Sequence, residues 1–309
     1  MENNLDGMFD VSDKYDTLRV ASAQAIIRIT PTTTKLIKEG KTPKGNIFDA
    51  ARIAATLAAK KASDLIPYCH TIPIDDVKTL FSFNENANSI EIRSQVKTVW
   101  KTGVEMEALT AVSVASLTIY DMLKPIDKSL SIESIKVVDK QGGSKNLHRD
   151  ARGKFTAAVL VSSDSRGYKE DKSGKVIVSK LKESGFKIIE YKLVADDPDL
   201  IESSLRRFCD ELRVNLVLTT GGTGVGPRDN TPEATKKIIQ KELAGVGETL
   251  RHFGQRRVPS SMLSRGVAGV REKTVVVNLP GSAKGVSQSL NSILPGLIHA
   301  FDMLEGKKH

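Results

Sequence analysis

Val214-Asn-Leu-Val-Leu-Thr-Thr220 runs straight into Gly221-Gly-Thr-Gly-Val-Gly-Pro-Arg-Asp-Asn-Thr-Pro-Glu233, and this junction decides the fold of the C-terminal half. A short apolar run reads as a buried strand, and the glycines as a tight turn. Thr231 then serves as a helix cap, with Pro232 at the first helical position. Strand, glycine turn and helix in that order form the repeating unit of a parallel sheet with crossover helices. The flanking sequence continues the alternation. Strands are expected at Phe155 to Val161, Lys187 to Val194 and Thr274 to Leu279, with helices near Val176 to Ser184, from about Asp199 and from Thr231. The expected class of this half is α/β with a mostly parallel sheet, whose ligands bind beyond the carboxyl ends of the strands.

Those ends carry the chemistry. Along Gly221, Gly222, Thr223 and Gly224 the backbone amides are open to a phosphate, because glycine has no Cβ and accepts positive φ. Neither the Gly-Lys-Ser/Thr ending of a P-loop nor the spacing of a dinucleotide fingerprint is present, and a plain turn would explain the glycines alone. Asp229 follows the loop. Asp196 and Asp197 follow the strand ending near Val194, on the same sheet edge. Carboxylates beside a phosphate loop are the hard oxygen ligands that Mg²⁺ shares with substrate phosphates, so Asp229 with Asp196 or Asp197 makes a candidate Mg-nucleotide site.

The N-terminal half has a different pattern. Asn46 is placed to cap a helix running to about Lys61, alternation near Ser89 to Val99 reads as a strand, and Glu105 to Leu123 reads as a second helix. Val112, Val114, Thr118 and Ile119 are β-branched and weaken that helix locally. Helices and strands without strict alternation predict α+β. In Lys60-Lys-Ala-Ser-Asp-Leu-Ile-Pro-Tyr-Cys-His-Thr71, Cys69 and His70 lack the further ligands that zinc needs. His70 still suits phosphate binding or proton transfer. Asp121 and Lys124, three apart, share a helix face as an acid–base pair or a surface ion pair. Lys44 and Lys140 matter only if they converge on the same site. A lysine crowded by other cations has its pKa drawn towards neutrality, which would suit acid–base work. Glu107 lies 14 residues before Asp121, about 21 Å along a helix, too far to share one small substrate within a single helix, so that if both belong to active sites, those sites involve more than one subunit.

LIPYCHT at 65–71, KTGVEMEALTAVSVASLTIYDMLK at 101–124 and VVDKQGG at 137–143 resemble the MoaC family of cyclic pyranopterin monophosphate synthases. The resemblance implies a ferredoxin-like α+β domain that converts 3′,8-cyclo-7,8-dihydroguanosine triphosphate to cyclic pyranopterin monophosphate and pyrophosphate, with no tightly bound cofactor. It places family functional positions on Lys44, Arg52, Cys69, His70, Met106, Glu107, Asp121, Lys124 and Lys140. Tyr68 is added as a substrate contact, although the family more often has leucine there and proline at Thr71. Lys44, His70 and Lys140 would bind the triphosphate, and Asp121 and Lys124 would move protons.

TTGGTGVGPRDNTPEAT at 219–235, SRGVAGV at 264–270 and NLPGS at 278–282 resemble the MoaB/MogA family, whose members transfer AMP from MgATP to molybdopterin. The family's two essential acids fall on Asp229 and on Asp196 rather than Asp197. Gly221, Gly222, Thr223 and Gly224 match its phosphate loop. Ser162-Ser-Asp164-Ser-Arg166 matches a second substrate loop, and Pro280, Gly281 and Ser282 close the pocket. The resemblances imply a homo-oligomer with threefold symmetry, a hexamer in the case of the first half.

At 309 residues the chain has room for two domains, expected at 1–145 and 155–309. The seam is QGGSKNLHRDARGK at 141–154, which gives a linker at 146–154. A charge of +9 and a pI near 9.4 favour anionic partners. Aromatics at 5% are too sparse for a base-stacking platform, so small phosphorylated ligands are expected rather than nucleic acid, and the resemblances imply that these are pterins and nucleotides. An acidic, polar N-terminus and the lack of a long uninterrupted apolar run predict a cytoplasmic protein with no membrane partner. The competing reading makes the C-terminal half a non-catalytic pterin-binding or assembly module, against which the Arg228-Asp229 pair argues.

Overall fold

Caps and packing set the element boundaries in a computed structural model that describes residues 7–143, 154–164 and 167–306. The chain divides into two compact units, Met1–Asn146 and Leu147–His309. Of the expected linker, only Lys154 is among the described residues.

The first unit contains β1 (Thr17–Arg28), α1 (Pro31–Lys38), α2 (Ile47–Lys60), the single turn α3 (Ala62–Leu65), β2 (Asp76–Asn84), β3 (Ser89–Trp100), α4 (Glu105–Leu123) and β4 (Ser131–Gly142). Its sheet has the order β2-β3-β1-β4 with every pairing antiparallel, which is the ferredoxin-like arrangement. Asn46 caps α2 as expected, its side-chain oxygen accepting from Phe48 N and Asp49 N. Ala51, Ala55, Ala58 and Ala59 form a small-residue face on α2, so that helix packs closely beside α4. The β-branched residues of α4 do not interrupt it. Val112 and Ile119 are fully buried in the core with Ala23, Ile27, Ile90 and Ile92, and that packing outweighs their helix propensity. Among the described residues α4 alone has the length and hydropathy to cross a membrane, but half of its most apolar window is buried in this core.

The second unit contains β5 (Thr156–Ser162), α5 (Ser173–Glu183), β6 (Lys187–Val194), α6 (Pro198–Arg206) with a π turn at Arg207–Glu211, β7 (Leu216–Thr220) and α7 (Thr231–Ile238). It continues with β8 (Lys241–Glu242), α8 (Ala244–Gln255), a 3-10 turn at Pro259–Leu263, β9 (Ala268–Arg271), β10 (Thr274–Leu279) and α9 (Ala283–Leu304). The sheet order is β6-β5-β7-β10-β9-β8. The pairs among β6, β5, β7 and β10 are parallel, and β9 and β8 add an antiparallel edge. One apolar cluster joins the sheet to α5 and α9 through Ile177, Leu181, Leu290 and Leu294; a second joins it to α6 and α7 through Ile201, Leu205, Ala234 and Ile238. The start of α7 corrects the sequence reading. Asn230, not Thr231, occupies the cap position and makes no side-chain capping bond, which moves Thr231 to the first helical position.

Candidate functional site

In the second unit the site grows from the end of β7. Gly221 and Gly222 have φ of +97° and +63°. A Cβ on Gly221 would collide with the Ser162 carbonyl oxygen, and one on Gly222 with the Thr231 hydroxyl, so glycine is needed at both. The turn lies against the end of β5 and the start of α7. Ser162 Oγ donates to Asp196 Oδ1, and Asp196 and Asp164 exchange backbone bonds: Asp164 N donates to Asp196 Oδ2 at 3.3 Å and Asp196 N to Asp164 Oδ1 at 3.0 Å. Asp197 is used otherwise, capping α6 by accepting from Asp199 N at 2.9 Å and Leu200 N at 3.0 Å. The two adjacent aspartates therefore separate: Asp196 faces the glycine turn, with Oδ1 3.4 Å from where a Gly222 Cβ would stand, and Asp197 holds a helix.

Asp229 Oδ2 accepts from Gly226 N at 2.8 Å. Its neighbour Arg228 reaches across to Asp164 Oδ2 at 2.9 Å, so Asp164 links the Asp196 side of the cleft to the Asp229 side. Ser165 and Arg166 of that loop lie outside the described residues. Thr220 Oγ1 donates to Pro280 O at 2.7 Å, which seats the Pro280–Ser282 segment beside Gly221, and Ser282 caps α9 through Gly285 N. Two cavities meet at Gly281 and Ser282. One of about 230 Å³ is lined by Ser162, Ser163, Thr220 and Gly221; the other, of about 350 Å³, extends past Thr223 and Gly224 to Arg251, Phe253 and Lys284. The Thr231 hydroxyl beside Gly222 is buried and has no hydrogen-bond partner among the described residues. Sequence reasoning missed its place there because the Thr-Pro pair reads as a cap.

In the first unit α2 and α4 run side by side and gather the candidate residues at two opposite ends. At the C-terminal end of α4, Asp121 accepts from Lys44 Nζ at 2.6 Å and pairs with Lys124 Nζ at 2.7 Å, while Lys44 also donates to the Asp121 carbonyl at 3.1 Å. The bonds from Lys124 and Lys44 hold the Asp121 carboxyl down at about 2. The same pairing raises Lys124 above the ordinary lysine range, the reverse of the lowering expected from crowded cations.

At the N-terminal end of α4, Glu107 is buried, which pushes its carboxyl upward. Cys69 Sγ donates to Glu107 Oε1 at 3.6 Å; burial, then the Glu107 charge, pushes that thiol up to about 11, so it is not a thiolate nucleophile at neutral pH. His70 Nε2 donates to Phe9 O at 2.8 Å. Lys140 lies 3.7 Å from Glu105 Oε1 at this same end, and Met106 is part-exposed next to Glu107. The structure thus groups Lys140 and His70 together and sets Lys44 a helix length away. Arg52 joins neither group. It pairs with Asp49 at 2.7 Å and lies over the Phe81 ring, while Tyr68 is largely exposed.

Residues 8–143 match the MoaC family model, and residues 158–299 match the model described as a probable molybdopterin binding domain. Over its whole length the chain is 39% identical to the molybdenum cofactor biosynthesis bifunctional protein of Chlorobaculum tepidum, covering 97% of that protein. Over 46% of its length it is 44% identical to the cyclic pyranopterin monophosphate synthase of Thermomicrobium roseum, covering 86% of it. Over 48% of its length it is 46% identical to the molybdopterin adenylyltransferase of Helicobacter pylori, covering 86% of it.

Proposed function

The chain belongs to the family of molybdenum cofactor biosynthesis bifunctional proteins, and on that premise we propose how its two halves, a cyclic pyranopterin monophosphate synthase and a molybdopterin adenylyltransferase, do their chemistry. The first half converts 3′,8-cyclo-7,8-dihydroguanosine triphosphate to cyclic pyranopterin monophosphate and pyrophosphate. The observation that carries this assignment of roles is Asp121 clamped between Lys44 and Lys124. At neutral pH the carboxylate is ionised and Lys124 protonated, so the pair sets a proton donor beside an acceptor. Lys44 and Lys140 neutralise the triphosphate, and Cys69, His70, Met106 and Glu107 contact the substrate. Because these groups sit at opposite ends of α4, one substrate is served by two copies of the chain, within a homo-oligomer of threefold symmetry such as a hexamer. The exposed apolar side chains Leu18, Leu80 and Val99 on the sheet support that assembly.

In the second half the glycine-turn amides hold the ATP phosphates while a molybdopterin phosphate oxygen attacks the α-phosphorus and pyrophosphate leaves. Positioning and charge neutralisation do the work, with no covalent protein nucleophile. Asp196 and Asp229 would hold Mg²⁺, which supplies neutralisation of phosphate charge when bound. The oxygen-only donor set beside the turn, including the Thr231 hydroxyl that has no partner among the described residues, fits such an ion.

The test is turnover of the cyclic nucleotide by wild type and Asp121→Ala, with circular dichroism to confirm folding. Loss of turnover in a folded variant supports the first site, and an inactive wild type beside an active MoaC control sinks it. In parallel, AMP transfer from MgATP to molybdopterin should fall in Asp229→Ala to a small residual rate. A wild type that binds molybdopterin without transferring AMP would leave the second half a binding or assembly module.

A further inference from the structure

Arg265 lies in the segment before β9, remote in sequence from both aspartates of the second unit. Its guanidinium nevertheless reaches the whole length of the loop that carries Asp229. Arg265 Nε donates to Gly224 O at 2.6 Å, Nη2 donates to Asp229 O, and Nη1 pairs with Glu233 Oε1 in the first turn of α7. Its own backbone N donates to Thr223 O at 2.9 Å, which fixes the base of the side chain against the same loop. One planar fork thus ties together the glycine turn, the main chain of Asp229 and the start of the following helix. Lysine has no equivalent, because an ammonium on a flexible stem cannot meet three acceptors spread in one plane.

The loop between these ties is closed by local bonds. Gly226 N donates to the Asp229 carboxylate and Asp229 N to Gly226 O at 3.1 Å, which closes a small turn but does not place that turn relative to the sheet. Placement relative to Asp196, which stands on β6's side of the site, comes from contacts that leave the loop. Thr231 N to Gly222 O, at 3.1 Å, is one. The Arg228–Asp164 pair is another, made by a largely exposed side chain. The Arg265 guanidinium is more enclosed, with a side-chain exposure of 37% against 68% for Arg228, and it reaches the backbone carbonyls of Gly224 and Asp229 besides the Glu233 carboxylate.

We infer that Arg265 is a positioning residue for adenylyl transfer, holding the Asp229 carboxylate in register across the cleft from Asp196. The inference rests on the assignment of adenylyl transfer to this half. Its effect falls on the chemical step rather than on ATP capture, since the fork touches neither cavity directly and acts through the loop. A misplacement of about 1 Å in such a loop costs on the order of 100-fold in rate.

The experiment uses the full-length chain as wild type, Arg265→Lys, Arg265→Met, Asp229→Ala and the Arg265→Lys/Asp229→Ala double variant. AMP transfer is followed with molybdopterin and MgATP, and synthase turnover by the first unit controls for protein quality. Arg265→Lys is expected to lower kcat by roughly 100-fold with KM for MgATP within about threefold of wild type. Added to Asp229→Ala, it should cost nothing further, because the group it positions is already gone. A kcat within about threefold of wild type in folded Arg265→Lys overturns the inference. So does an equal loss with and without Asp229, which marks a merely structural role. Should Arg265→Met fail to fold, the lysine variant and the double variant still decide the matter. A wild type without AMP transfer sinks the adenylyl-transfer assignment and this inference with it, whereas failure in the variants alone sinks only the inference.

Discussion

Asp121 sits under two ammonium groups, and what they do to it defines what the first site can do. Its carboxyl is held near 2, and Lys124 is raised in return, so the pair stays charged across the physiological range. Lys124 can then give a proton but is a poor base until that proton has gone. In Asp121→Asn the partner charge is removed and the Lys124 pKa falls. The alkaline limb of the synthase pH–rate profile should therefore move to lower pH in that variant; a limb that stays in place would show that Lys124 is not the acid. The Asp121–Lys124 pair was legible from a spacing of three on a helix. Lys44 was named through the resemblance, but its contact with Asp121 was not legible from spacing, because it arrives from 77 residues away through packing of α2 on α4. Asp196 and Asp197 were ranked only by the resemblance, not by the residues around them. Both follow the same strand, and only the backbone direction after Val194 makes one a cap and turns the other to the glycine turn.

Among the elements, the end of α4 is fastened to the start of α1 by one buried carboxylate. Asp127 is 4% exposed and accepts from Thr30 N, Thr33 Oγ1, Ser129 N and Ser129 Oγ. Burial opposes its ionisation, but these four bonds outweigh it and bring the carboxyl from 3.8 to about 2. A carboxyl depressed on folding stabilises the fold above its unfolded value and loses that contribution as pH falls towards the folded value, which places the window between about 4 and 2. The shift corresponds to about 2 kcal/mol. Asp127→Asn should cost roughly 1–2 kcal/mol at neutral pH in urea denaturation, and the gap to wild type should close as pH drops through that window. A gap that persists at low pH would show that shape rather than charge matters at this corner. Elements with a cap or a glycine turn were readable, as α2 and the β7–α7 junction show. The central strand β1 was not, because Ala21, Ala23 and Ala25 line its buried face and blur the alternation a strand is read by. The antiparallel edge β8–β9 is too short to carry a pattern, and α9 hides behind Pro295, which reads as a breaker yet lies buried inside a continuous helix.

On the scale of the molecule, the apolar clusters among the described residues divide as the contacts do: one core lies within Met1–Asn146 and two within Leu147–His309. Each reaction can therefore be perturbed alone, and the first can be used to ask how copies of the chain share a site. Lys44, Asp121 and Lys124 mark one end of α4; Cys69, Glu107 and Lys140 mark the other, about 21 Å away along the helix axis. If one substrate bridges the two groups, it does so between copies. Asp121→Ala and Glu107→Gln should each abolish synthase turnover alone, since every site in either homo-oligomer lacks one necessary group. After the two are co-expressed and purified as mixed oligomers, some sites pair an intact Asp121 from one copy with an intact Glu107 from another, and a fraction of wild-type turnover should return. AMP transfer by the second half, untouched by either substitution, gives the amount of folded chain in each preparation. Mixed oligomers that form but stay inactive would mean that both groups act within one protomer, and the division of the first site between copies would have to be abandoned.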